Sequence, residues 1–363
     1  MYLQIAAFVS LLIGLAVCPA WSAGPGFNVR FSTEIVCSTD SVSLIVTGDV
    51  LPESSWRAPF SPPEDFFQHV EEEFRSADIV YINLEEPITG STLTTRHKTV
   101  KNVRAGKDFI LRAKNSVWPQ VFRESGVHVV NLANNHTMDY RAKGMLDTLK
   151  LLSEQGIKIT GGGKNLSDAL KPVILEKRGI SVALIGFTDV QPAGFAATSG
   201  SPGIATAKDE FRMIEAIKSA SRQSDFTVVM MHWGEHASST VTARQTMLSR
   251  RIIYAGASAI VGMHPHFMQG IAFYKGSPVF YSLGNFAFPT KRPETRQTIL
   301  PKFHFCPDGT FSVTAVPVAI SLEGQPRIVD DEPEGISILA LQNKLSKKFG
   351  TAILNGKLVH DQP

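Results

Sequence analysis

The chain is poor in cysteine, carries little net charge and contains no apolar run as long as a membrane span. Its 363 residues include 3 cysteines and no C-x-x-C pair, which excludes a disulfide framework and zinc-ribbon or thioredoxin-type proteins. The 36 Lys and Arg against 33 Asp and Glu give a net charge of +3, which excludes a strongly basic nucleic-acid-binding protein and an acidic disordered chain. With 28 Gly and 21 Pro, collagen-like and low-complexity classes are also excluded.

The N-terminal segment differs from the rest because it has no charged side chain before Arg30. Ile5–Val17 is an apolar run of signal-peptide length, shorter than the ~20 residues of a membrane span. Ala20-Trp21-Ser22 has small residues at the two positions that signal peptidase reads. We therefore expect residues 1–22 to be an export signal, with an uncleaved anchor or a lipoprotein signal at Cys18 as alternatives.

Export defines the expected compartment. The mature protein is expected in the periplasm or on the outer face of the cytoplasmic membrane. Such a compartment is oxidising, and Cys37 and Cys306 can pair there, although nothing in the sequence brings them together.

The body of the chain alternates apolar, β-branched runs with amphipathic helical stretches, which is typical of an α/β fold with a mainly parallel sheet. The predicted strands are Val42–Thr47, Ile79–Asn83, Val127–Leu132, Val182–Phe187, Thr227–Met231 and Ala259–Gly262. The predicted helices are Glu64–Ser76, Arg141–Gln155, Asp209–Ser224 and Thr242–Ala255.

After residue 270 the period of the apolar residues falls towards two, which predicts strands separated by Gly and Pro turns. These strands are Ile271–Lys275, Val279–Leu283, Pro301–Phe305 and Phe311–Ile320. A last helix is predicted near Gly335–Phe349. We assign residues 41–325 to one domain and residues 326–363 to a C-terminal helix and tail.

Five of the apolar runs end in a carboxylate, an amide or an imidazole. Because ligands of open α/β sheets bind beyond the carboxyl ends of the strands, these groups are expected to form one site. Its candidate metal ligands are Asp49, Glu85, Asn135, His232, His264 and His266. Hard oxygen ligands mixed with imidazoles favour Mn, Zn or Fe over Mg or Ca.

The chemistry expected of such a site is phosphoryl transfer to water. Glu85 can bridge two ions that clamp a phosphoryl group, and His136 can face the leaving group as a general acid. Each group alone has a plainer interpretation as a turn former, a helix cap or a hydrogen-bonded core residue. The metal-site interpretation depends on their joint occurrence at successive strand ends.

Seven short motifs in one order, within residues 43–288, resemble the CapA family of poly-γ-glutamate capsule biosynthesis proteins. They are Gly48-Asp49-Val50, Asn83-Leu84-Glu85, Leu132–Tyr140, Gly161–Asn165, His232–His236, Gly262–His266 and Tyr281–Phe286. That family is similar to calcineurin-like metallophosphoesterases. The resemblance implies a four-layer α/β sandwich, with two mixed sheets packed together and flanked by helices.

The resemblance also implies a role for each site residue. Asp49 matches an aspartate ligand of the first metal, Glu85 the bridging carboxylate, and Asn135 with His136 the pair of ligand and acid. His232 matches a lone histidine ligand, and His264 and His266 the closing His-x-His motif. Asp139 orients His136, and Asn285 lines the site.

The chain departs from the metallophosphoesterase pattern at its first motif. Where those enzymes have Asp-x-His, this chain has Asp49-Val50-Leu51, so that one ligand of the first metal is missing. Glu85 replaces the usual bridging aspartate, and His236 replaces an aromatic residue of the family. The departures leave open whether one or two ions are held.

Two functions follow as expectations. The first is an exported metal-dependent hydrolase acting on a phosphate-containing or polyanionic envelope substrate. The second is a non-catalytic subunit that binds polymer during capsule synthesis or export. Membrane ligase or export subunits are expected as partners, and nucleic acid is not.

Overall fold

The computed structural model describes residues 30–33, 40–53, 60–105 and 108–360. The predicted export signal, residues 1–22, and Cys37 lie outside the described residues. The strands, in chain order, are β1 (Arg30–Phe31), β2 (Val42–Val50), β3 (Ile79–Leu84), β4 (Val129–Asn131), β5 (Lys158–Thr160), β6 (Gly162–Gly163), β7 (Val173–Lys177), β8 (Ile180–Thr188), β9 (Gly203–Ile204), β10 (Phe226–His232), β11 (Ala259–Met263), β12 (Ile271–Tyr274), β13 (Ser277–Phe280), β14 (Asn285–Ala287), β15 (Gln297–Phe305), β16 (Thr310–Ile320), β17 (Pro326–Ile328), β18 (Thr351–Leu354) and β19 (Lys357–His360).

The helices cover most of the predicted helical stretches. They are α1 (Glu71–Ser76), α2 (Val100–Arg104), α3 (Trp118–Glu124), α4 (Arg141–Glu154), α5 (Leu166–Leu170), α6 (Glu210–Ser221), α7 (Ala243–Tyr254) and α8 (Pro333–Ser346). The start of α7 has a capping box, in which Thr242 and Gln245 each accept from the other's backbone N–H. Among the described helices, none has the length and apolar character needed to cross a membrane.

The larger sheet has the order β18-β19-β16-β15-β2-β3-β4-β5, with β1, β14 and β17 paired to strands of this series. Strands β2 to β5 are parallel to one another, whereas β15 pairs with β2 in the antiparallel sense. The smaller sheet has the order β12-β13-β11-β10-β8-β7, parallel from β13 to β8 and antiparallel at both edges. Both sheets are therefore mixed.

Alternating side chains of the central strands define the layers. In β2, Leu44 and Val46 join one apolar cluster and Ile45 joins another. Because successive side chains of a strand point to opposite faces, one cluster lies on each face of the sheet. Burial on both faces explains why these strands read as nearly continuous apolar runs.

The cluster between the two sheets contains Leu44 and Val46 from the larger sheet and Val228 and Met230 from the smaller one. Helices α1, α3 and α4 contribute to a second cluster, on the outer face of the larger sheet. Helices α6 and α7 contribute to a third, on the outer face of the smaller sheet. The prediction of a four-layer sandwich with two mixed sheets flanked by helices is confirmed.

The C-terminal region is part of the larger sheet. Strand β17 pairs with β16, and the hairpin β18–β19 joins the same strand at Thr314 and Lys357. The sequence predicts the helix of this region but not the hairpin that follows it. Cys306, directly after β15, is disulfide-bonded.

Candidate metal centre

The carboxyl ends of four strands bring the predicted ligands to the junction of the two sheets. Asp49 stands near the end of β2, Glu85 directly follows β3, His232 ends β10, and His264 directly follows β11. The backbone N–H of His264 donates to Oδ2 of Asp49 at 3.2 Å, which joins the two sheets at this point. Parallel strands within each sheet explain why these ends meet at one edge.

Glu85 lies at the centre of this cluster. Its Oε1 is 3.7 Å from Nε2 of His232 and 3.7 Å from Nε2 of His266. Glu85, His232 and His264 each offer a ligand atom, and these atoms lie within 4.8 Å of one another. Asp49, Glu85 and His266 form a second group with the same property. Two groups that share one carboxylate have the layout of a two-ion site.

Asn135 belongs to the first of these groups. Its Oδ1 lies 2.8 Å from Nε2 of His232, which is itself 3.1 Å from Nδ1 of His264. In the second group, Nδ1 of His266 is 3.4 Å from Oδ2 of Asp49. All six ligand candidates of the sequence analysis are thus within one cluster.

The cluster is buried, and burial sets its protonation. Burial raises the pKa of Asp49 to about 7. Burial and the nearby Asp49 raise the pKa of Glu85 well above its usual value. Burial lowers the pKa of His266 to about 3, and burial with the neighbouring histidines lowers the pKa values of His232 and His264 well below the usual range. Neutral imidazoles are the form that binds metal, whereas the carboxyl groups must release protons to do so.

The atoms of this cluster fit a divalent cation. Within the described residues, both side-chain oxygens of Glu85 and Nδ1 of His232 are buried without a hydrogen-bond partner. Such atoms are costly in a folded protein, by about 1–3 kcal/mol each and more when charged, unless a ligand or ion satisfies them. Carboxylate, amide and imidazole donors around one buried point match the preferences of Mn, Zn or Fe.

Local backbone geometry aims the two histidines of the His-x-His motif. His264 has φ 98° and His266 has φ 60°, in the left-handed region that residues other than glycine rarely adopt. Strained residues of this kind cluster at functional sites, held by the structure around them.

The backbone beside Asp49 also requires glycine. A Cβ on Gly48 would lie 2.2 Å from the carbonyl oxygen of Gly284. This contact sets Asp49 beside Asn285 of β14.

His136 and Asp139 lie beside the ligand cluster as a hydrogen-bonded pair. Nδ1 of His136 is 2.7 Å from Oδ2 of Asp139, which also accepts from the backbone N–H of Leu111 at 2.8 Å. Lys98 is the third member of this group, with Nζ 2.5 Å from Oδ1 of Asp139. Burial, reinforced by the Lys98 ammonium, lowers the pKa of His136.

A cleft of about 650 Å³ opens onto the cluster. Glu85, His136, His264 and His266 of the cluster region line it. Its other lining residues are mainly of two kinds. The cationic or imidazole side chains are Lys98, Lys291, Arg292 and His236, and the apolar ones are Phe109, Leu111, Val190, Ala237, Phe267, Phe288 and Pro289. Asp108 is the further carboxyl group of the lining, and Asn135, Asn285, Thr290 and Thr295 are its neutral polar residues. The cleft therefore suits an anionic group at the metal centre with an apolar part beside it.

Sequence reasoning missed three residues of this region. Asn83 donates to Oδ1 of Asp49 at 2.8 Å and accepts from Asn131 at 2.8 Å, so it orients a predicted ligand. Lys98 and Arg292 line the cleft. The position of Asn83 at the end of β3 was a usable signal, since amides there face the ligand edge. Lys98 and Arg292 sit in loops among other basic residues, where a lysine or arginine ordinarily indicates a solvated surface.

The fold and the site together define a class: an α/β sandwich with a histidine and carboxylate centre at the junction of its sheets. Comparison with known proteins gives the family. The model of the bacterial capsule synthesis protein family PGA_cap matches residues 43–290, and the chain belongs to this family. The predicted resemblance to CapA proteins is confirmed.

Two curated relatives share 35% of their aligned residues with the chain. The PGA biosynthesis protein CapA of Bacillus subtilis aligns over 82% of this chain and 76% of its own length. The capsule biosynthesis protein CapA of Bacillus anthracis aligns over 72% of this chain and 63% of its own length. The chain therefore spans less than two thirds of the second relative.

More distant similarity extends to solved structures. Haemophilus influenzae NAD nucleotidase (NadN) matches with a TM-score of 0.45 and 15% identity, over 89% of this chain and 65% of that one. A putative 5′-nucleotidase from Staphylococcus aureus matches with a TM-score of 0.44 and 13% identity, over 80% and 53%.

Proposed function

We propose that this protein is a metal-dependent hydrolase of a phosphate-containing or polyanionic envelope substrate, acting in capsule or poly-γ-glutamate synthesis. Membership of the capsule synthesis family supports the biological process. The names of the two Bacillus relatives support poly-γ-glutamate as the polymer concerned. The proposal of hydrolysis comes from the geometry of the metal centre.

One observation carries the proposal of hydrolysis. Glu85 is fully buried, both of its oxygens lack a hydrogen-bond partner among the described residues, and two ligand groups converge on it. A protein that merely binds polymer gains nothing from a buried carboxyl group left in this state. A carboxylate that would hold two cations, in contrast, needs both of its oxygens free of other hydrogen bonds.

The ligand residues divide between two ions. Glu85, Asn135, His232 and His264 would hold one, and Asp49, Glu85 and His266 the other, with Mn, Zn or Fe as the metal. When bound, such ions polarise a phosphoryl oxygen and activate water. Leu51 stands where a further ligand is expected, and it is buried against Leu111 and Phe288. The ion next to Asp49 is therefore expected to be the weaker of the two.

The chain's own groups would orient the substrate and move its proton. The Asp139 contact at Nδ1 of His136 leaves Nε2 available to the leaving oxygen, as a proton donor or a hydrogen-bond donor. Lys291 and Arg292 line the cleft and would attract the anionic group. Neither contributes to the ligand groups.

The proposed setting follows from the predicted export signal in residues 1–22. We propose a periplasmic or outer-membrane-face location, with membrane ligase or export subunits as partners and no nucleic-acid ligand. Manganese, zinc or iron in that compartment would load the site after export.

A second candidate function is a non-catalytic subunit that binds polymer in a membrane synthesis complex. The observation favouring it is Leu51, because the loss of one ligand weakens the site next to Asp49. Under this function the cleft would bind the polymer and the centre would hold at most one structural ion.

Metal analysis of the mature protein, with hydrolysis of bis-p-nitrophenyl phosphate measured on the same samples, tests the proposal. The wild type is expected to hold one or two ions per chain and to turn over. His264→Ala is expected to lose both properties, whereas His69→Ala, at an exposed histidine outside the cluster, is expected to keep them. A wild type that stays metal-free and inert after addition of Mn and Zn would favour the binding function.

A further inference from the structure

The cleft at the metal centre has apolar residues that the ligand groups do not explain. Leu51, Leu111 and Phe288 form one small buried cluster. The ring of Phe288 lies 5.0 Å from that of His266, a proposed ligand. Leu111 and Phe288 also line the cleft. Apolar surface therefore begins directly beside the metal centre.

The apolar lining continues from this cluster to solvent. Phe109, two residues before Leu111, lines the same cleft and is 42% exposed. Phe267 and Pro289 line it as well. We call Phe109, Leu111, Phe267, Phe288 and Pro289 the apolar side of the cleft. Apolar side chains gathered in one concave site, rather than scattered singly over a surface, indicate a ligand with an apolar part.

The neutral polar residues of the lining make hydrogen bonds within the protein. Nδ2 of Asn285 donates to the Thr295 carbonyl at 3.0 Å, and its Oδ1 lies 2.8 Å from Nδ1 of His266. The hydroxyls of Thr290 and Thr295 are 3.0 Å apart. Asn135 belongs to the ligand cluster. A site that selects a nucleobase or a sugar needs polar groups directed at its ligand, and these side chains are already engaged elsewhere.

The charged side chains of the lining fit an anion. Lys291 and Arg292 are adjacent in the sequence and exposed, so they can attract a negatively charged group to the cleft. Asp108, the carboxyl group of the same lining, accepts from Nδ2 of Asn102 at 3.0 Å and so helps to hold its own loop. The lining is therefore complementary to a ligand that combines an anionic group with an apolar one.

We propose that the substrate is a phosphate ester that carries an alkyl chain, with its phosphoryl group at the metal centre and its chain along Phe288 and Phe109. This rests on the proposed hydrolytic function and narrows its substrate class. Hydrolysis would join the oxygen of water to phosphorus and break the bond from phosphorus to one ester oxygen. That oxygen leaves as the alcohol, with a proton from the same water.

The first test measures binding and needs no turnover. Methylphosphonate and hexylphosphonate, which lack a hydrolysable ester bond, are titrated by calorimetry into protein with Mn²⁺ added. The wild type is expected to bind hexylphosphonate about 30-fold more tightly, or about twofold per added methylene, half of the free energy of full burial. Equal affinity for the two phosphonates would overturn the proposal.

Substitution of Phe109 locates the chain in the same assay. Phe109→Ser is expected to raise the Kd of hexylphosphonate about fivefold and to leave that of methylphosphonate within about twofold. Phe109→Leu is expected to keep most of the wild-type affinity. The control is Phe211→Ser, at a phenylalanine of α6 that is 77% exposed, and it is expected to bind both phosphonates as the wild type does. A chain-length dependence unchanged in Phe109→Ser, or an equal loss for both phosphonates, would contradict a chain held at Phe109.

The second test compares three p-nitrophenyl phosphodiesters whose other ester group is methyl, hexyl or thymidine 5′-yl. The hexyl ester is expected to have the highest kcat/KM, at least about tenfold above the methyl ester, because binding of the chain adds to the binding of the transition state. A preference for the thymidine ester would show that the cleft is a nucleotide site and that the proposal is wrong.

Vesicles of phosphatidylcholine that contain phosphatidate distinguish the source of the ester. Release of inorganic phosphate from them would identify a lipid of the bilayer, and turnover of the soluble hexyl ester alone would identify a free ester. Both results support the alkyl chain.

Failure of the two proposals looks different. An inert wild type that still prefers hexylphosphonate contradicts hydrolysis and supports the apolar subsite. An active wild type that is indifferent to chain length contradicts the alkyl ester alone.

Discussion

The two sheets contribute opposite chemistry to the same point. The larger sheet supplies the carboxyl groups Asp49 and Glu85, and the smaller sheet and the loop after it supply the imidazoles His232, His264 and His266. Neither sheet alone has a full ligand group, because each group combines at least one carboxylate with at least one histidine. The proposed metal centre therefore requires both sheets to be packed together.

The difference also appears in protonation. Burial moves the carboxyl groups of one sheet and the imidazoles of the other towards their neutral forms, by raising the pKa values of Asp49 and Glu85 and lowering those of the three histidines. A bound cation would favour the ionised form of the carboxyl groups and would leave the imidazoles neutral. The carboxyl groups of the larger sheet are thus expected to change protonation with pH and with metal binding. The imidazoles of the smaller sheet are already in the neutral form that binds metal.

The strongest test of this division is Glu85→Gln, at the one ligand that both groups share. A neutral amide is a poor bridging ligand, so both ions are expected to be lost and hydrolysis to fall by more than about 100-fold, since even outer-shell changes weaken metal binding by 10–100-fold. Metal content and bis-p-nitrophenyl phosphate turnover measure this loss. Glu72→Gln, at an exposed glutamate of α1, is the matched control.

Although Glu85→Gln is expected to abolish metal binding, it is not expected to destabilise the metal-free protein. Metal-free Glu85→Gln is expected to be at least as stable as the metal-free wild type, because a buried carboxyl group without hydrogen-bond partners is replaced by a neutral group of the same size. Thermal unfolding in the presence of chelator measures it. A lower melting temperature than wild type would mean that Glu85 stabilises the fold rather than the metal site.

The next test separates the two ligand groups. His264→Ala removes a ligand of one group and His266→Ala a ligand of the other, so each is expected to disturb mainly one ion. With Mn²⁺ bound, the wild type is expected to give the electron paramagnetic resonance spectrum of two coupled ions, and each variant that of isolated ions. An uncoupled spectrum for the fully loaded wild type would contradict the two-ion layout.

Much of this comparison could be predicted from the sequence. Runs such as those of β2 and β10 are apolar on both faces and end in polar residues. Their apolar pattern predicts the strands, and the residues at the strand ends are the proposed ligands. Asp49 and Glu85 were recognisable because a carboxyl group directly after a buried strand has few structural uses. The prediction of six joint ligands required only that parallel strands end at the same edge.

Other features depend on contacts that spacing does not encode. Lys98 lies in a basic loop, and only the tertiary structure reveals that its ammonium is buried against Asp139 and His136. The hairpin β18–β19 is short and half-exposed, so its pairing with β16 stabilises it more than its own propensity does. The left-handed backbone of His264 and His266 likewise follows from packing rather than from residue type.

The pH dependence of metal affinity tests, with a smaller expected effect, the difference in protonation between the carboxyl groups of one sheet and the imidazoles of the other. Metal binding must displace a proton from Asp49, whose pKa burial raises to about 7, and from Glu85, whose pKa burial and the nearby Asp49 also raise. The apparent metal affinity is therefore expected to rise with pH between 6 and 8, by about tenfold per unit for each proton released. Calorimetry in buffers of different ionisation enthalpy counts these protons. Affinity that is independent of pH would mean that the carboxyl groups are already ionised.

The smallest expected effect concerns Arg292, which lies at the cleft in neither ligand group. Its side chain is exposed, so solvent and salt screen its attraction for an anionic substrate to about 0.2–1 kcal/mol. Arg292→Ala is expected to raise KM for the phosphodiester by up to about fivefold and to leave kcat and metal content unchanged, whereas Arg292→Lys keeps most of the wild-type KM. Added salt is expected to narrow the difference between Arg292→Ala and wild type. A KM that neither the substitution nor salt alters would show that substrate affinity comes from the metal centre and the apolar residues of the cleft. In that case the junction of the two sheets would select the substrate without help from Arg292.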